Sequence, residues 1–112
     1  MKGLLKFIYF AFSKNKSFPL ARQNELLKKD VQVVAVLVDI LYNIAHKNII
    51  PTNNETIINK LRIYRKQIYR LIAKTTSHKV RAKILIKHKQ IIHIILPLIP
   101  SISAHLDNEP LY

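Results

Sequence analysis

The residues best suited to a chemical task are the basic side chains of Lys60–Lys89. This stretch contains eleven Lys and Arg residues and no acidic residue. They are Lys60, Arg62, Arg65, Lys66, Arg70, Lys74, Lys79, Arg81, Lys83, Lys87 and Lys89. On a helix, like charges four residues apart repel by roughly 0.2–0.5 kcal/mol per pair, and that spacing occurs three times between Arg62 and Lys74. Bound phosphates would neutralise the repulsion, so the stretch predicts binding to a polyanion.

The whole chain shares this charge imbalance. Its 112 residues include 19 Lys and Arg against 6 Asp and Glu, which gives a formal net charge of +13. We expect contacts to the phosphate backbone, which make binding non-specific and steeply dependent on salt. Recognition of individual bases is a weaker expectation, because only Gln67 and Arg70 have suitable side chains in a suitable place.

The composition excludes several kinds of chemistry. Without cysteine, the chain has no thiol nucleophile, no thiolate metal ligand and no disulfide. Its single glycine, Gly3, cannot build the glycine-rich loop that holds the phosphates of a nucleotide. The carboxylates are scattered, and no nucleophile is paired with a base. We therefore predict no catalytic residue, no cofactor and no enzymatic activity.

The histidines and tyrosines suggest smaller roles. The histidines are His46, His78, His88, His93 and His105. No two of them have the four-residue spacing of paired metal ligands on a helix, so no metal site is predicted. His88 lies between two lysines, within the basic stretch. Tyr64 falls on the apolar side of its predicted helix, whereas Tyr69 lies nearer the edge and is the candidate for stacking on bases.

Helices are predicted to position these residues. Turn signals at 17–19, 47–52 and 75–77 divide the chain into four helical segments. The segment Asp30–Lys47 is apolar almost all round, so we expect a buried central helix with Asp30 as its N-cap. Its valines also suit a strand, but a typical strand has only about 5–6 residues.

The basic residues divide between the next two segments. Thr52 and Glu55 have the spacing of a capping box, which begins a helix predicted to continue to Lys74. Ser77 is placed to cap a further helix, although the alternating pattern of 79–84 also permits a strand. The predicted fold class is all-α, a small bundle of three to four helices with a basic helix face and an apolar C-terminal segment.

By composition, the chain falls into three parts. They are an N-terminal apolar and basic helix at 1–16, a helical core at 17–76, and a basic helix with an apolar C-terminal tail at 77–112. The two apolar ends are short: Lys6 interrupts the first and Pro97 the second, whereas a membrane span needs about 20 apolar residues. No signal-peptide cleavage site follows the first, so we expect a short amphipathic or packing helix and no secretion.

A membrane contact by the two ends is the alternative. Short apolar segments beside basic ones can enter the interface of an anionic bilayer. The side chains assigned to that contact are Phe7, Ile8, Phe12, Ile94, Ile95 and Leu96.

Several motifs follow one another in a fixed order over Leu37–Leu98. They are Val38-Asp39-Ile40-Leu41-Tyr42-Asn43-Ile44, Asn48-Ile49-Ile50-Pro51, Lys60-Leu61-Arg62-Ile63-Tyr64-Arg65-Lys66 with Leu71 and Ala73, Thr76-Ser77 with the basic block to Lys89, and Ile94-Ile95-Leu96-Pro97-Leu98. In this order they resemble a family of small basic proteins from adenovirus-like elements, the Polinton or Maverick transposons and the adintoviruses. The alternating segment 79–83 stands where that family has a nearly pure Lys/Arg run.

The resemblance implies a virion component, a counterpart of the adenovirus minor core or membrane-active capsid proteins. With the charge, it favours a DNA-condensing core protein that binds phosphates non-specifically, with capsid proteins as further partners, in the virion or the host nucleus. Two alternatives stay open. One is a membrane-active minor capsid protein that binds anionic bilayers, and the other is a ribosomal or other RNA-binding protein, which fits the charge equally well.

Overall fold

A computed structural model describes residues 2–13, 18–46, 55–100 and 102, and within these ranges it contains seven α-helices, a 3₁₀ helix and no strand. The helices are α1 (Lys2–Phe12), α2 (Leu20–Lys29), α3 (Val31–Ala45), α4 (Glu55–Arg62), α5 (Arg65–Ile72), α6 (His78–Lys87), α7 (Gln90–Ile95) and the 3₁₀ helix Leu96–Leu98. The all-α prediction is confirmed. The expected number of three to four helices is wrong, because turns divide the predicted helices into shorter ones. The strand that the pattern of 79–84 also permitted is not formed, because these residues lie within α6.

The central helix begins at its predicted cap. Asp30 accepts a hydrogen bond through Oδ1 from the backbone N–H of Val33, at 3.1 Å. The same residue ends α2, since its own N–H donates to the carbonyl of Leu26 at 2.8 Å. Asp30 is extended between the two helices and satisfies a terminal group of each, so α2 passes into α3 without a linker.

The helix predicted over 52–74 is instead two short helices. The turn between them lies at Ile63 and Tyr64. There the N–H of Tyr64 donates to the carbonyl of Leu61 over 2.9 Å, a bond to residue i−3 that tightens the chain before α5 resumes the i−4 pattern. Ile63 is 79% exposed at this turn, which explains its place among charges in the sequence. Thr52, the predicted capping residue, lies outside the described residues.

The core is organised around α3. This helix packs against α1, α2, α5 and α6, which confirms the expected buried central helix. Its buried residues are Val33, Val34, Val36, Leu37, Val38, Ile40 and Leu41. Each such side chain contributes about 1.5–3 kcal/mol through burial, so α3 is the main support for the helices around it.

Both apolar ends of the described chain join this core. The contributing side chains are Leu5, Ile8, Ala11 and Phe12 of α1, with Ile91, Ile92, Ile95, Leu96 and Ile99 near the other end. Buried Gln23 ties α2 to α1, because its side-chain amide donates to the carbonyl of Ala11 at 2.9 Å. A separate apolar C-terminal segment is therefore not supported over 91–99. No helix in the described part of the chain is long and apolar enough to cross a membrane.

Candidate nucleic-acid interface

Two basic helices, α5 and α6, face each other across a groove of about 310 Å³. Its lining residues are Lys66, Gln67 and Arg70 of α5, Lys83, Ile84 and Lys87 of α6, and His88 just beyond. All four cationic side chains are exposed. Each helix supplies two of them one turn apart, because residues i and i+4 lie on the same face of a helix. The groove is thus positively charged on both walls.

Hydrogen bonds across the connecting turn hold the two walls together. Arg81 of α6 donates from Nε to the carbonyl of Leu71 at 2.8 Å and from Nη2 to the carbonyl of Ala73 at 3.0 Å. In the same turn the hydroxyl of Thr76 donates to the carbonyl of Arg70 at 2.6 Å. The last carbonyls of a helix lack partners within it, and a cation there is also favoured by the helix dipole. Arg81 therefore positions α5 against α6 through its guanidinium, which is half-buried.

The start of α6 is fixed by its predicted cap. Ser77 is extended, and its hydroxyl oxygen accepts a hydrogen bond from the backbone N–H of Val80 at 3.3 Å. The prediction that Ser77 begins a helix is confirmed. The cap sets where the first turn of α6 lies, and thereby which residues face outward along the helix.

A second basic hollow lies on the other side of α6, towards α2. Its volume is about 290 Å³, and it is lined by Lys28, His78, Lys79, Ala82, Lys83 and Ile86. His78 connects the helices, since its Nε2 lies 2.9 Å from the carbonyl oxygen of Lys28, fifty residues earlier in the sequence. Lys83 lines both hollows, so Lys79, Lys83 and Lys87 form a ridge between them at four-residue spacing.

We define the basic surface as Lys28, Lys66, Arg70, Lys79, Lys83 and Lys87. Each of these side chains is exposed, and within the described ranges none has an acidic ion-pair partner. A different situation occurs on α2, where Lys29 Nζ lies 2.7 Å from Glu25 Oε1. That hydrogen bond and the opposite charge raise the pKa of Lys29 and lower the pKa of Glu25. The negative charge of Glu25 compensates the positive charge of Lys29, whereas the lysines and the arginine of the basic surface have no such partner among the described residues.

Six of the eleven predicted contact residues line neither basic hollow, and one of these six, Arg81, makes the structural hydrogen bonds described above. Lys60 and Lys74 are exposed, while Arg62 and Arg65 line an apolar hollow on the opposite side of α5. Lys89 is only partly exposed, and burial lowers its pKa. The predicted stretch therefore does not form one continuous surface.

The three like-charge pairs expected along one helix are reduced to one. Arg62 and Lys66 lie in different helices, and Lys74 lies beyond the end of α5. Lys66 and Arg70 remain as the one predicted pair within a single helix. Lys66 and Arg70 of α5 also face Lys83 and Lys87 of α6 across the groove, an arrangement that the linear sequence does not show.

Lys28 is the member of the basic surface that sequence reasoning missed. It lies outside the predicted stretch, in a segment where Glu25 and Asp30 make the charge pattern mixed. The sequence contains a weak indication that Lys28 is available to a ligand. Glu25 has the four-residue spacing to pair with Lys29, which leaves Lys28 without that partner. Its proximity to α6 depends on tertiary packing alone.

The aromatic and apolar candidates are divided by the fold. Tyr69 is 61% exposed and accessible for stacking, although it lines the apolar hollow with Arg65 rather than the basic groove. Among the membrane-contact candidates, Ile8, Phe12, Ile95 and Leu96 are buried in the core, whereas Phe7 is 39% exposed and Ile94 is partly buried. In this folded state the four buried side chains are inaccessible to a bilayer.

The described residues contain no group of three or more His, Cys, Asp or Glu side chains arranged to hold a metal ion. Comparison with known proteins adds no relative, since no protein family, curated protein or solved structure matches the chain.

Proposed function

We propose that the chain is a nucleic-acid-binding structural protein that holds the phosphate backbone on the basic surface without reading the base sequence. The observation that supports this most is the arrangement of Lys66 and Arg70 opposite Lys83 and Lys87, with no acidic side chain lining the groove. Lys and Arg contacts to phosphates provide essentially all of the affinity of non-specific binding. The two candidates for contacts to base edges, Gln67 and Arg70, both line the groove. The remaining cations on its walls, Lys66, Lys83 and Lys87, are suited to phosphates, which favours backbone contacts as the main source of affinity.

The favoured ligand is DNA, and the favoured setting is a virion core. This part of the proposal rests on the resemblance of Leu37–Leu98 to the small basic proteins of adenovirus-like elements. A net charge of +13 on so short a chain suits a protein that neutralises packed DNA. Structured RNA presents the same phosphates, and binding of duplex DNA and structured RNA at matched salt separates the two.

The direct test is a filter-binding titration of duplex DNA over a range of salt concentrations. Removing one phosphate-binding cation reduces the slope of log K against log salt by about 0.9. Replacing Lys66, Arg70, Lys83 and Lys87 together by Gln should therefore reduce the slope by about 3–4 and weaken binding strongly at physiological salt. An unchanged slope in this variant contradicts the proposal.

A matched control removes the same charge elsewhere. Lys6, Lys29, Lys60 and Lys74 are also exposed, and replacing all four by Gln lowers the net charge equally. We expect this control to retain most of the salt slope. If both variants lose affinity equally, net charge alone drives binding and the basic surface has no special role. Circular dichroism of both variants checks that the helices are intact.

A specific observation favours an anionic membrane surface as the second candidate. On α1, Phe7 and Phe10 are 39% and 46% exposed, and each packs edge-on against Phe18, with ring centroids 6.1 and 6.3 Å apart. The guanidinium of Arg22 lies 5.3 Å from the centroid of the Phe18 ring. Aromatic side chains beside a cation suit a bilayer interface. If vesicles rich in anionic lipid neither bind the protein nor leak, while DNA is bound, this candidate is wrong.

A further inference from the structure

The side of α5 that faces away from the basic groove carries a hollow that the proposed nucleic-acid binding does not use. It has a volume of about 340 Å³ and lies between the end of α3, α4 and α5. Its floor is aliphatic, formed by the buried side chains of Leu41, Leu61 and Ile68. The volume is within the range of sites that hold small organic molecules, which are mostly apolar with a few polar groups.

The charged groups of this hollow are two guanidiniums, and Tyr69 adds a hydroxyl group. Arg62 ends α4 and Arg65 begins α5, so the turn between the helices puts one on each side of the break. Both are exposed, and neither has an acidic partner in the described part of the chain. Arg65 lies at the N-terminus of α5, where the helix dipole disfavours a cation and favours an anion. An anionic group at this edge would be stabilised by both arginines.

We infer that this hollow binds an amphiphile with an aliphatic chain and one anionic head group, a carboxylate or a phosphate. The chain would lie on the floor of Leu41, Leu61 and Ile68, and the head group would accept charge-assisted hydrogen bonds from Arg62 and Arg65. A nucleobase would stack on Tyr69 but fits less well as the main ligand, because the aliphatic floor of the hollow offers its polar edge no hydrogen bond. A neutral hydrocarbon would form no charge-assisted hydrogen bond with Arg62 or Arg65.

The test uses the full-length protein and decyl amphiphiles at concentrations below micelle formation. Decanoate and decyl phosphate distinguish the two anionic heads, and decyltrimethylammonium has the same chain with the opposite charge. Methyl-group NMR titrations should show shifts at Leu61 and Ile68 for at least one anionic amphiphile, with binding at least about tenfold tighter than for the cationic one. Equal binding of both charges, or shifts spread over the core residues Ile91 and Ile95, overturns the inference.

Two variants identify the site. Arg62→Gln with Arg65→Gln should weaken binding of the anionic amphiphile about tenfold or more, because the charge-assisted hydrogen bonds are removed. Ala45→Phe should block the chain, since Ala45 is exposed and lines the hollow. The arginine variant alters only exposed side chains, so it keeps the test decisive if Ala45→Phe fails to fold. Unchanged affinity in the arginine variant overturns the inference.

A control separates this site from the proposed function. Lys83→Gln with Lys87→Gln should weaken DNA binding and leave amphiphile binding unchanged, because both lysines lie on the other side of α5. A bilayer source is distinguished by vesicles of phosphatidylglycerol. If the vesicles bind but the soluble amphiphiles do not, and the backbone amide signals of Phe7 and Phe10 shift instead of the methyl signals of Leu61 and Ile68, the hollow is not the site and the inference is wrong.

Discussion

The helix α5 separates two hollows of similar size, about 310 Å³ towards α6 and about 340 Å³ towards α3 and α4. Consecutive residues contribute to different sides, with Arg65 at the apolar hollow and Lys66 in the basic groove. Successive side chains on a helix point about 100° apart, so neighbours in sequence meet different partners in space. A cation's position around α5, and not its membership of a basic stretch, therefore decides what it can bind.

The largest expected effect on stability comes from a substitution that loosens α5 and so disturbs the hollows on both of its sides. Leu71 lies on α5 and is fully buried in the core. Leu71→Ala should reduce the free energy of unfolding by about 2–5 kcal/mol, because burial is reduced and a cavity is left behind. Urea denaturation measures it, with the exposed Tyr69→Ala as a control expected within about 0.5 kcal/mol of the wild type. A small effect of Leu71→Ala would mean that α5 is not anchored through its interior face.

A second substitution affects only the basic groove between α5 and α6. Arg81→Ala removes both hydrogen bonds to the end of α5 and should cost about 2 kcal/mol of stability. Arg81→Lys keeps the charge but lacks the planar fork, so it should recover only part of the stability. Denaturation and DNA titration are measured on both variants. If Arg81→Lys matches the wild type in both stability and affinity, Arg81 acts through its charge and does not position the helices.

Removing the N-cap of α6, on the same side of α5, should have a smaller effect on stability. Ser77→Ala removes the acceptor for the N–H of Val80 and should cost about 1 kcal/mol. Hydrogen exchange should accelerate first at the start of α6. Thr75→Ala, in the exposed turn just before, serves as the control and should change stability by less than about 0.5 kcal/mol. Equal effects of the two substitutions would show that the cap contributes little.

The smallest expected effect compares neighbours on α2. Lys28→Gln should weaken DNA binding a few-fold and remove on the order of one phosphate contact from the salt slope. Lys29→Gln should have less effect, because Glu25 already neutralises Lys29 at 2.7 Å. The two variants carry the same net charge, so any difference reports position. Identical salt dependence in the two would exclude Lys28 from the basic surface.

Local sequence signals predicted the local structure well. The caps at Asp30 and Ser77 depend on hydrogen bonds within a few residues, which a linear pattern contains. The helical class and the burial of α3 were predicted from the spacing and density of apolar residues. Nine of the eleven predicted contact residues are exposed, since an unpaired charge is costly to bury. The break at Ile63 and Tyr64 was missed, because the apolar spacing continues across it.

Packing between distant segments decided the rest. Lys28 and His78 are fifty residues apart yet meet through a hydrogen bond, and Arg81 is directed inward by the carbonyls at the end of α5. The sequence left the apolar ends between a membrane and a core. One face of each end is buried in the core, because the other helices present apolar faces to it. The buried side chains are Leu5, Ile8, Ala11 and Phe12 at one end and Ile91, Ile92, Ile95, Leu96 and Ile99 at the other. The number and sign of the charges are properties of the chain alone. Their division between two sides of α5 follows from the tertiary contacts that place α6 on one side and α3 with α4 on the other.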